Sequence, residues 1–277
     1  MISAGCTLAQ ARQALPLDAL ENRILLCHAL RLPRVALITQ SERVLSADEI
    51  ALVTALVQRR LDGEPIAYIT GEREFFGLSF KVTPAVLIPR PDTELIVELA
   101  LARLAPQARV LDMGTGSGAI AVALASNRPD LDVTALDVSE AALAVARENA
   151  AANDTRVRFV RSDWYAALAT ERFDLIASNP PYIVAGDQHL TEGDLRFEPI
   201  DALTDHGDGL AALRTIIDGA PERLAGGGWL LLEHGYDQAA AVRALLQTRG
   251  FCEVQSWRDL GNIQRVSGGC FGTDSGS

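Results

Sequence analysis

Asn179-Pro180-Pro181-Tyr182 follows directly on the apolar run Phe173-Asp174-Leu175-Ile176-Ala177-Ser178, and its residue types suit one chemistry. An amide NH2 is a poor nucleophile, because its lone pair is delocalised strongly enough to hold the C–N bond planar. A site that alkylates such a nitrogen needs an acceptor for each N–H and a flat surface beside the amide. The Asn179 side-chain oxygen and the Pro180 carbonyl can be the acceptors, since proline keeps its carbonyl while losing its donor. Pro180 and Pro181 fix φ and stiffen the turn, and Tyr182 supplies the surface. Asn179, Pro180 and Tyr182 are therefore candidate catalytic residues, and all four residues are a candidate substrate clamp. A lone Asn-Pro pair usually marks only a strand ending in a turn. What favours chemistry here is a glycine-rich loop upstream.

That loop is Asp112-Met113-Gly114-Thr115-Gly116-Ser117-Gly118, at the end of a short buried strand and the start of a helix. Glycines let backbone approach a ligand closely, with the helix N-terminus beside it. Gly114-x-Gly116-x-x-Ala119 also satisfies a loose dinucleotide pattern, so NAD is a competing ligand. Asp137, at the end of the next strand, is placed to accept from both ribose hydroxyls in either case. Two features favour S-adenosylmethionine. Asp112 can face a cationic amino-acid end, a task with no counterpart beside a pyrophosphate. Ser162-Asp163-Trp164 fits adenine, with the carboxylate accepting the exocyclic N–H and the ring packing on the base; core packing is the plain alternative for Trp164. The candidate cofactor residues are Asp112, Gly114, Thr115, Gly116, Ser117, Gly118, Asp137, Asp163, Trp164 and Asn179.

The elements that must position these residues alternate. Val110-Leu111, Val133–Leu136, Val157–Val160, Phe173–Ala177, Trp229–Leu232 and Phe251–Trp257 read as strands. Helices are expected at Ala119–Ser126, from Ser139 to Ala152, at Leu210–Ile217 and at Gln238–Thr248. This order predicts an α/β fold, a mostly parallel sheet with helices on both faces and ligands at its carboxyl edge. Asn262–Val266 is expected beside the last strand, and Gly268–Ser277 reads as a loose tail.

Ahead of the sheet, residues 1–73 read as a small helical bundle that recognises a partner. Leu8, Ala11 and Leu15 share one helical face, as do Leu20, Ile24 and Cys27 or His28, with His28 expected in the core. Asp18 with Glu21, and Ser46 with Glu49, are capping pairs. Residues 74–89 read as a β-hairpin linker, with Phe76, Leu78, Phe80 and Val82 alternating before a turn at Thr83-Pro84 and a return strand Ala85–Ile88. Residues 90–277 form the catalytic domain, opening on a helix capped by Asp92 or Thr93.

Composition narrows the class. The 277 residues are 48% hydrophobic and 22% charged, as in ordinary globular proteins. No apolar run is long enough to span a membrane, and the first residues lack the pattern of a secretory signal. Cys6, Cys27, Cys252 and Cys270 are scattered, supporting neither a metal site nor a disulfide framework; the cytoplasm is the expected compartment. Residues 1–75 carry 8 basic and 9 acidic side chains and residues 76–277 carry 17 and 27, so the net charge of −11 lies almost wholly in the second part. An acidic catalytic half argues against direct binding of nucleic-acid backbone.

With these residues assembled, the chain resembles the peptide chain release factor glutamine N5-methyltransferases over nearly its whole length. The resemblance is carried by Tyr68–Gly77, Val86–Glu94, Gly114–Gly118, Asp137, Ser162-Asp163-Trp164, Asn179–Tyr182, Phe197-Glu198-Pro199 and Gly207–Leu210. It implies a Rossmann-like class I methyltransferase domain behind an N-terminal helical bundle. It also implies S-adenosylmethionine as cofactor, contacted by Gly114–Gly118, Asp137, Trp164 and Asn179; no metal is expected, and a monomer is expected. The implied activity is methylation of the glutamine side chain in the Gly-Gly-Gln motif of class 1 release factors, with Asn179–Tyr182 holding that glutamine. The helical bundle is the least similar part. His206 and His234 are expected to be packing residues, not bases. Rival functions are an adenine or cytosine amino-methyltransferase acting on DNA or RNA, which shares Asn-Pro-Pro-Tyr, an NAD-dependent oxidoreductase, and a silent binding module.

Overall fold

The computed structural model describes residues 2, 3 and 5–272, and the chain divides into two units, Met1–Gly71 and Glu72–Ser277. The first is built from α1 (Leu8–Ala14), α2 (Ala19–Leu30), α3 (Ala36–Thr39), α4 (Ala47–Leu61) and α5 (Ile66–Thr70). Three of these start where a side chain satisfies the orphan N–H groups of the first turn. Asp18 accepts from Leu20 and Glu21 N–H, while Thr7 with Gln10 and Ser46 with Glu49 form full capping boxes.

Leu8, Ala11 and Leu15 are buried as their spacing predicts, but α2 is rotated from its expected face. Leu25, Leu26 and Asn22 point inward, while Leu20 is 55% exposed and His28 is exposed rather than packed in the core. A polar residue decides the rotation: Asn22 Nδ2 donates to the carbonyls of Leu15 and Leu17 at 3.0 and 3.1 Å. A face drawn through apolar letters alone misses such an anchor.

The second unit runs β1 (Glu72–Phe75), β2 (Leu78–Lys81), α6 (Glu94–Leu101), β3 (Arg109–Met113), α7 (Ala119–Asn127), β4 (Asp132–Asp137), α8 (Glu140–Ala152), β5 (Arg158–Arg161) and β6 (Phe173–Ser178). It continues with α9 (Ile200–Leu203), α10 (Ala211–Gly219), β7 (Leu224–Glu233), α11 (Ala239–Arg249), β8 (Cys252–Arg258) and β9 (Gln264–Phe271). Seven strands form one sheet in the order β5-β4-β3-β6-β7-β9-β8, parallel except for β9. Alternate strand residues feed two cores, as the pleat requires. Val110, Leu175 and Leu231 pack with α6 and α7 on one face, and Leu111, Ile176 and Leu230 pack with α10 and α11 on the other.

Three expectations are corrected. The hairpin spans residues 72–81, with Phe75 opposite Leu78, so it turns at Phe76-Gly77 and not at Thr83-Pro84. Both turn residues have positive φ, 52° and 74°, the conformation a two-residue hairpin loop demands. Ala85–Ile88 is therefore no return strand, and the hairpin belongs to the second unit, docked on α8, where Lys81 N donates to Asn149 Oδ1 at 2.7 Å and Asn153 Nδ2 to the Ser79 carbonyl at 3.0 Å. Neither Asp92 nor Thr93 caps α6 through its side chain; Pro91–Thr93 is a 3-10 turn. Lastly, Gly268–Phe271 is no tail but the end of β9, inserted between β7 and β8. A side chain at Gly269 would press on the Cys252 carbonyl at 2.8 Å, so glycine here reflects close strand packing. Residues 273–277 of the expected tail lie outside the described residues.

Candidate active site

The sheet order reverses between β3 and β6, which lie side by side. In an open α/β sheet such a switch point opens a crevice at the carboxyl edge. The glycine loop leaves β3 there and Asn179 leaves β6, so their adjacency follows from topology. Ser178 ties the two strand ends together, its hydroxyl donating to the Met113 carbonyl at 2.6 Å.

A cavity of about 310 Å³ fills the crevice. Gly114, Thr115, Gly116, Ser117, Asp137, Asp163, Trp164, Asn179 and Pro181 line it, together with the apolar side chains of Met113, Ile120, Leu136 and Val138. The structure thus brings most of the expected site residues together. Asp112, Gly118, Pro180 and Tyr182 are not among the lining residues.

The loop geometry suits a nucleoside-bearing ligand. Gly114 and Gly116 adopt φ of 71° and 54°, and a Cβ on either would meet nothing within 4 Å, so the backbone is open to approach. Gly118 serves packing instead, since its Cβ would meet that of Ala146 at 3.1 Å. Asp137 accepts from Gly116 N–H and Ser139 N–H, both at 2.9 Å. One bond to each oxygen leaves further lone pairs for hydroxyl donors. Burial raises its carboxyl above the usual range, opposed by those backbone donors.

Asp112 is fully buried. One oxygen accepts from the Thr115 hydroxyl at 2.5 Å and Ala121 N–H at 3.2 Å, while Oδ1 has no donor among the described residues. Burial pushes this carboxyl up to about 7. An orphaned carboxylate oxygen beneath the glycine loop is a complement for positive charge. Trp164 sits at φ 45°, rare for a bulky residue, with its carbonyl taking the Ser162 hydroxyl at 2.6 Å. These features fit the adenosyl and amino-acid parts of S-adenosylmethionine.

Several neighbours of the cavity had no assigned place at the site, although Val86–Glu94 and Phe197-Glu198-Pro199 carry the resemblance. Ala85–Leu87, Pro89, Arg90 and Thr93 line one side of the cavity, and Pro199, Asp201 and Ala202 another. Glu198, buried, clasps the first strap: it pairs with the Arg90 guanidinium and accepts from Ile88 N–H at 3.0 Å. Behind the loop Asn179–Tyr182, Asn179 Nδ2 donates to Thr93 Oγ1 at 3.1 Å, and Tyr182 OH donates to Glu233 at 3.1 Å. Gln238 Nε2 donates to the Tyr182 carbonyl at 3.0 Å. The one signal available for Glu233 was a charged residue closing the apolar run Trp229–Leu232. His234 is fully buried, bonded to the Gly235 carbonyl and to Ser267 Oγ at 2.8 and 2.7 Å, and burial lowers its pKa. His206 bonds Asp201 at 2.7 Å. Neither histidine lines the cavity.

A seven-stranded sheet with this order, carrying a glycine loop, a carboxylate from the end of β4 and an open cavity at its switch point, defines an S-adenosylmethionine-dependent methyltransferase. The fold alone is shared with a methyltransferase from Pyrococcus furiosus, at 22% identity and a TM-score of 0.55 over 78% of this chain and 97% of that one. Residues 91–195 match the methyltransferase small domain family and residues 4–71 the PrmC N-terminal domain family. The release factor glutamine methyltransferase of Burkholderia pseudomallei is 58% identical over 95% of both chains. That of Bordetella pertussis is 55% identical over 91% of this chain and 95% of its own. The chain belongs to the release factor glutamine methyltransferase family.

Proposed function

We propose that this chain methylates the side-chain nitrogen, N5, of the glutamine in the Gly-Gly-Gln motif of class 1 release factors and so modulates translation termination. The observation that carries the reading is that Asn179 and Pro181 line the same cavity as Gly114–Ser117, which joins an amide clamp to a cofactor loop. S-adenosylmethionine, when bound, supplies an electrophilic methyl group on a sulfonium. Gly114–Ser117, Asp137, Asp163, Trp164 and Asn179 would hold it. Asp112, from beneath the loop, would complement its positive end.

The clamp does the rest. The Asn179 side-chain oxygen and the Pro180 carbonyl each take one N–H of the substrate amide, so its plane and lone pair are fixed. Tyr182 backs the loop, its phenol bonded to Glu233, and stiffens the surface on which the amide rests. Orientation of this kind supplies up to about 7–11 kcal/mol of a barrier. The cavity is lined by residues of a single chain, which fits a monomer, and a substrate that works on the ribosome fits the cytoplasm.

Isotope-labelled S-adenosylmethionine offered with release factor, duplex DNA and RNA tests the reading. Label is expected in the Gly-Gly-Gln peptide of the release factor. Label in nucleic acid and none in that peptide would overturn it.

A further inference from the structure

We propose that Glu233 is a positioning residue which, through Thr93, fixes which way round the Asn179 carboxamide faces. The inference rests on the reading above, in which the Asn179 oxygen accepts from the substrate amide.

Three hydrogen bonds form one relay. Asn179 Nδ2 donates to Thr93 Oγ1 at 3.1 Å, and Thr93 Oγ1 donates to Glu233 Oε2 at 2.7 Å. Tyr182 OH donates to the other oxygen, Oε1, at 3.1 Å. Glu233 is 1% exposed and Thr93 4%, so water does not compete for these atoms. The residues come from separate elements: Glu233 ends β7, Thr93 closes the turn before α6, and Asn179 follows β6. Ser178 on β6 pairs with Leu232 on β7, which sets Asn179 and Glu233 side by side.

The donor count gives the relay its direction. Burial lifts the Glu233 carboxyl to about 7, so above that pH it is ionised; an ionised carboxylate only accepts, and a hydroxyl has a single proton. Thr93 spends that proton on Glu233 and offers Asn179 nothing but lone pairs. Asn179 must therefore turn its NH2 to Thr93 and its oxygen away, free to accept. Tyr182 spends its one proton on the same anion. Both ends of the loop Asn179–Tyr182 are thus referred to one buried carboxylate, and acceptor and aromatic ring are set relative to each other. A glutamine at 233 can donate as well as accept. It allows the Thr93 hydroxyl to point at Asn179, whose amide can then present NH2 to a substrate that itself has only donors there.

The test uses full-length Glu233→Gln, Thr93→Val, Thr93→Ser, Asn179→Ala and the Glu233→Gln/Thr93→Val double variant. Turnover is measured with purified release factor at a pH above about 7, where Glu233 is ionised, and S-adenosylmethionine affinity by calorimetry at the same pH. Glu233→Gln is expected to lower kcat at least tenfold, with KM for release factor and cofactor Kd each within about threefold of wild type. Thr93→Val should behave likewise, Thr93→Ser should recover most of what Thr93→Val loses, and the double variant should be no slower than Glu233→Gln alone. Wild-type kcat in Glu233→Gln, or fully additive losses in the double variant, overturns the relay. Should Glu233→Gln not fold, wild-type kcat in Thr93→Val overturns it equally. An inactive Asn179→Ala beside an unimpaired Glu233→Gln rejects the relay and leaves the clamp standing; an active Asn179→Ala rejects both.

Discussion

A side chain at Gly209 would run into the carbonyl oxygen of Tyr182, and the Gln238 amide stands 2.8 Å from the same Cβ position. Gly209 also sits at φ 76°, where an L side chain is strained. The loop before α10 is thus pressed against the loop Asn179–Tyr182, the proposed substrate clamp, and Gln238 Nε2 bridges the Tyr182 and Gly209 carbonyls at 3.0 and 3.2 Å. Gly209→Ala must push the clamp forward or open this seam. Turnover with release factor should fall at least tenfold, with cofactor affinity nearly unchanged and stability reduced by more than ~1 kcal/mol. Paired calorimetry and kinetics check the separation, and an unchanged kcat would show that the seam does not govern the clamp.

The sheet and the position of the glycine loop were legible because they are written in contiguous letters. Apolar runs of strand length alternate with helical ones, and Gly114–Gly118 falls at one junction. Adjacency of β3 and β6 then follows from how such sheets wind. What supports the clamp was not legible. Thr93, Glu233 and Gln238 are separated from Asn179 by tens of residues, and each is a common polar residue whose role exists only once β6 and β7 pair. The hairpin was misplaced for a related reason. Phe76 looked like the first inward member of an alternating strand, whereas its left-handed backbone and the Glu94 carboxylate on its N–H at 2.8 Å make it a turn residue.

Asp137 gives a sharp test of the cofactor loop. Its two oxygens collect Gly116 N–H and Ser139 N–H, so it shapes the loop as well as facing the cavity. Asp137→Ala strands two backbone donors, and charge-assisted bonds of this type contribute roughly 1.5–3 kcal/mol each. S-adenosylmethionine should bind at least tenfold more weakly by titration calorimetry. The rise in Tm that the cofactor produces in wild type should shrink accordingly. An unaltered Kd would remove Asp137 from the site.

Two buried carboxyls set the response to pH. Burial pushes Asp112 and Glu233 up from 3.8 and 4.5 to about 7 each. Between about pH 4 and 7 the native chain keeps protons that the unfolded chain has released, so stability falls as pH rises through this window. Each carboxyl costs on the order of 3 kcal/mol once the pH passes 7. Asp130, Asp208 and Asp259 are held low, mainly by hydrogen bonds; what they contribute is present above about pH 4 and lost in acid. Urea midpoints of the cofactor-free chain should therefore peak near pH 5 and decline towards pH 8, with a shallower decline in Glu233→Gln. A midpoint still rising from pH 5 to pH 8 would contradict the assignment of both groups.

Asn149 ties the hairpin to the glycine loop. It is 1% exposed, accepts Lys81 N–H at 2.7 Å, and donates to the carbonyls of Lys81 and Ser117 at 3.0 and 2.8 Å. One amide thereby saturates three backbone groups from two segments, which no apolar side chain can do. Asn149→Ala leaves those groups without a partner, at roughly 1–3 kcal/mol for each that water cannot reach. Asn149→Asp is the harsher change, because a carboxylate keeps the acceptor for Lys81 N–H but turns lone pairs on two carbonyls. The order of stability should be wild type, Asn149→Ala, Asn149→Asp. Amide exchange by mass spectrometry locates the effect: in Asn149→Ala, exchange should quicken in residues 72–81 and 114–118 together, while β7 and β9 keep their protection. Faster exchange in the hairpin alone would mean that the Ser117 carbonyl is held by something other than Asn149.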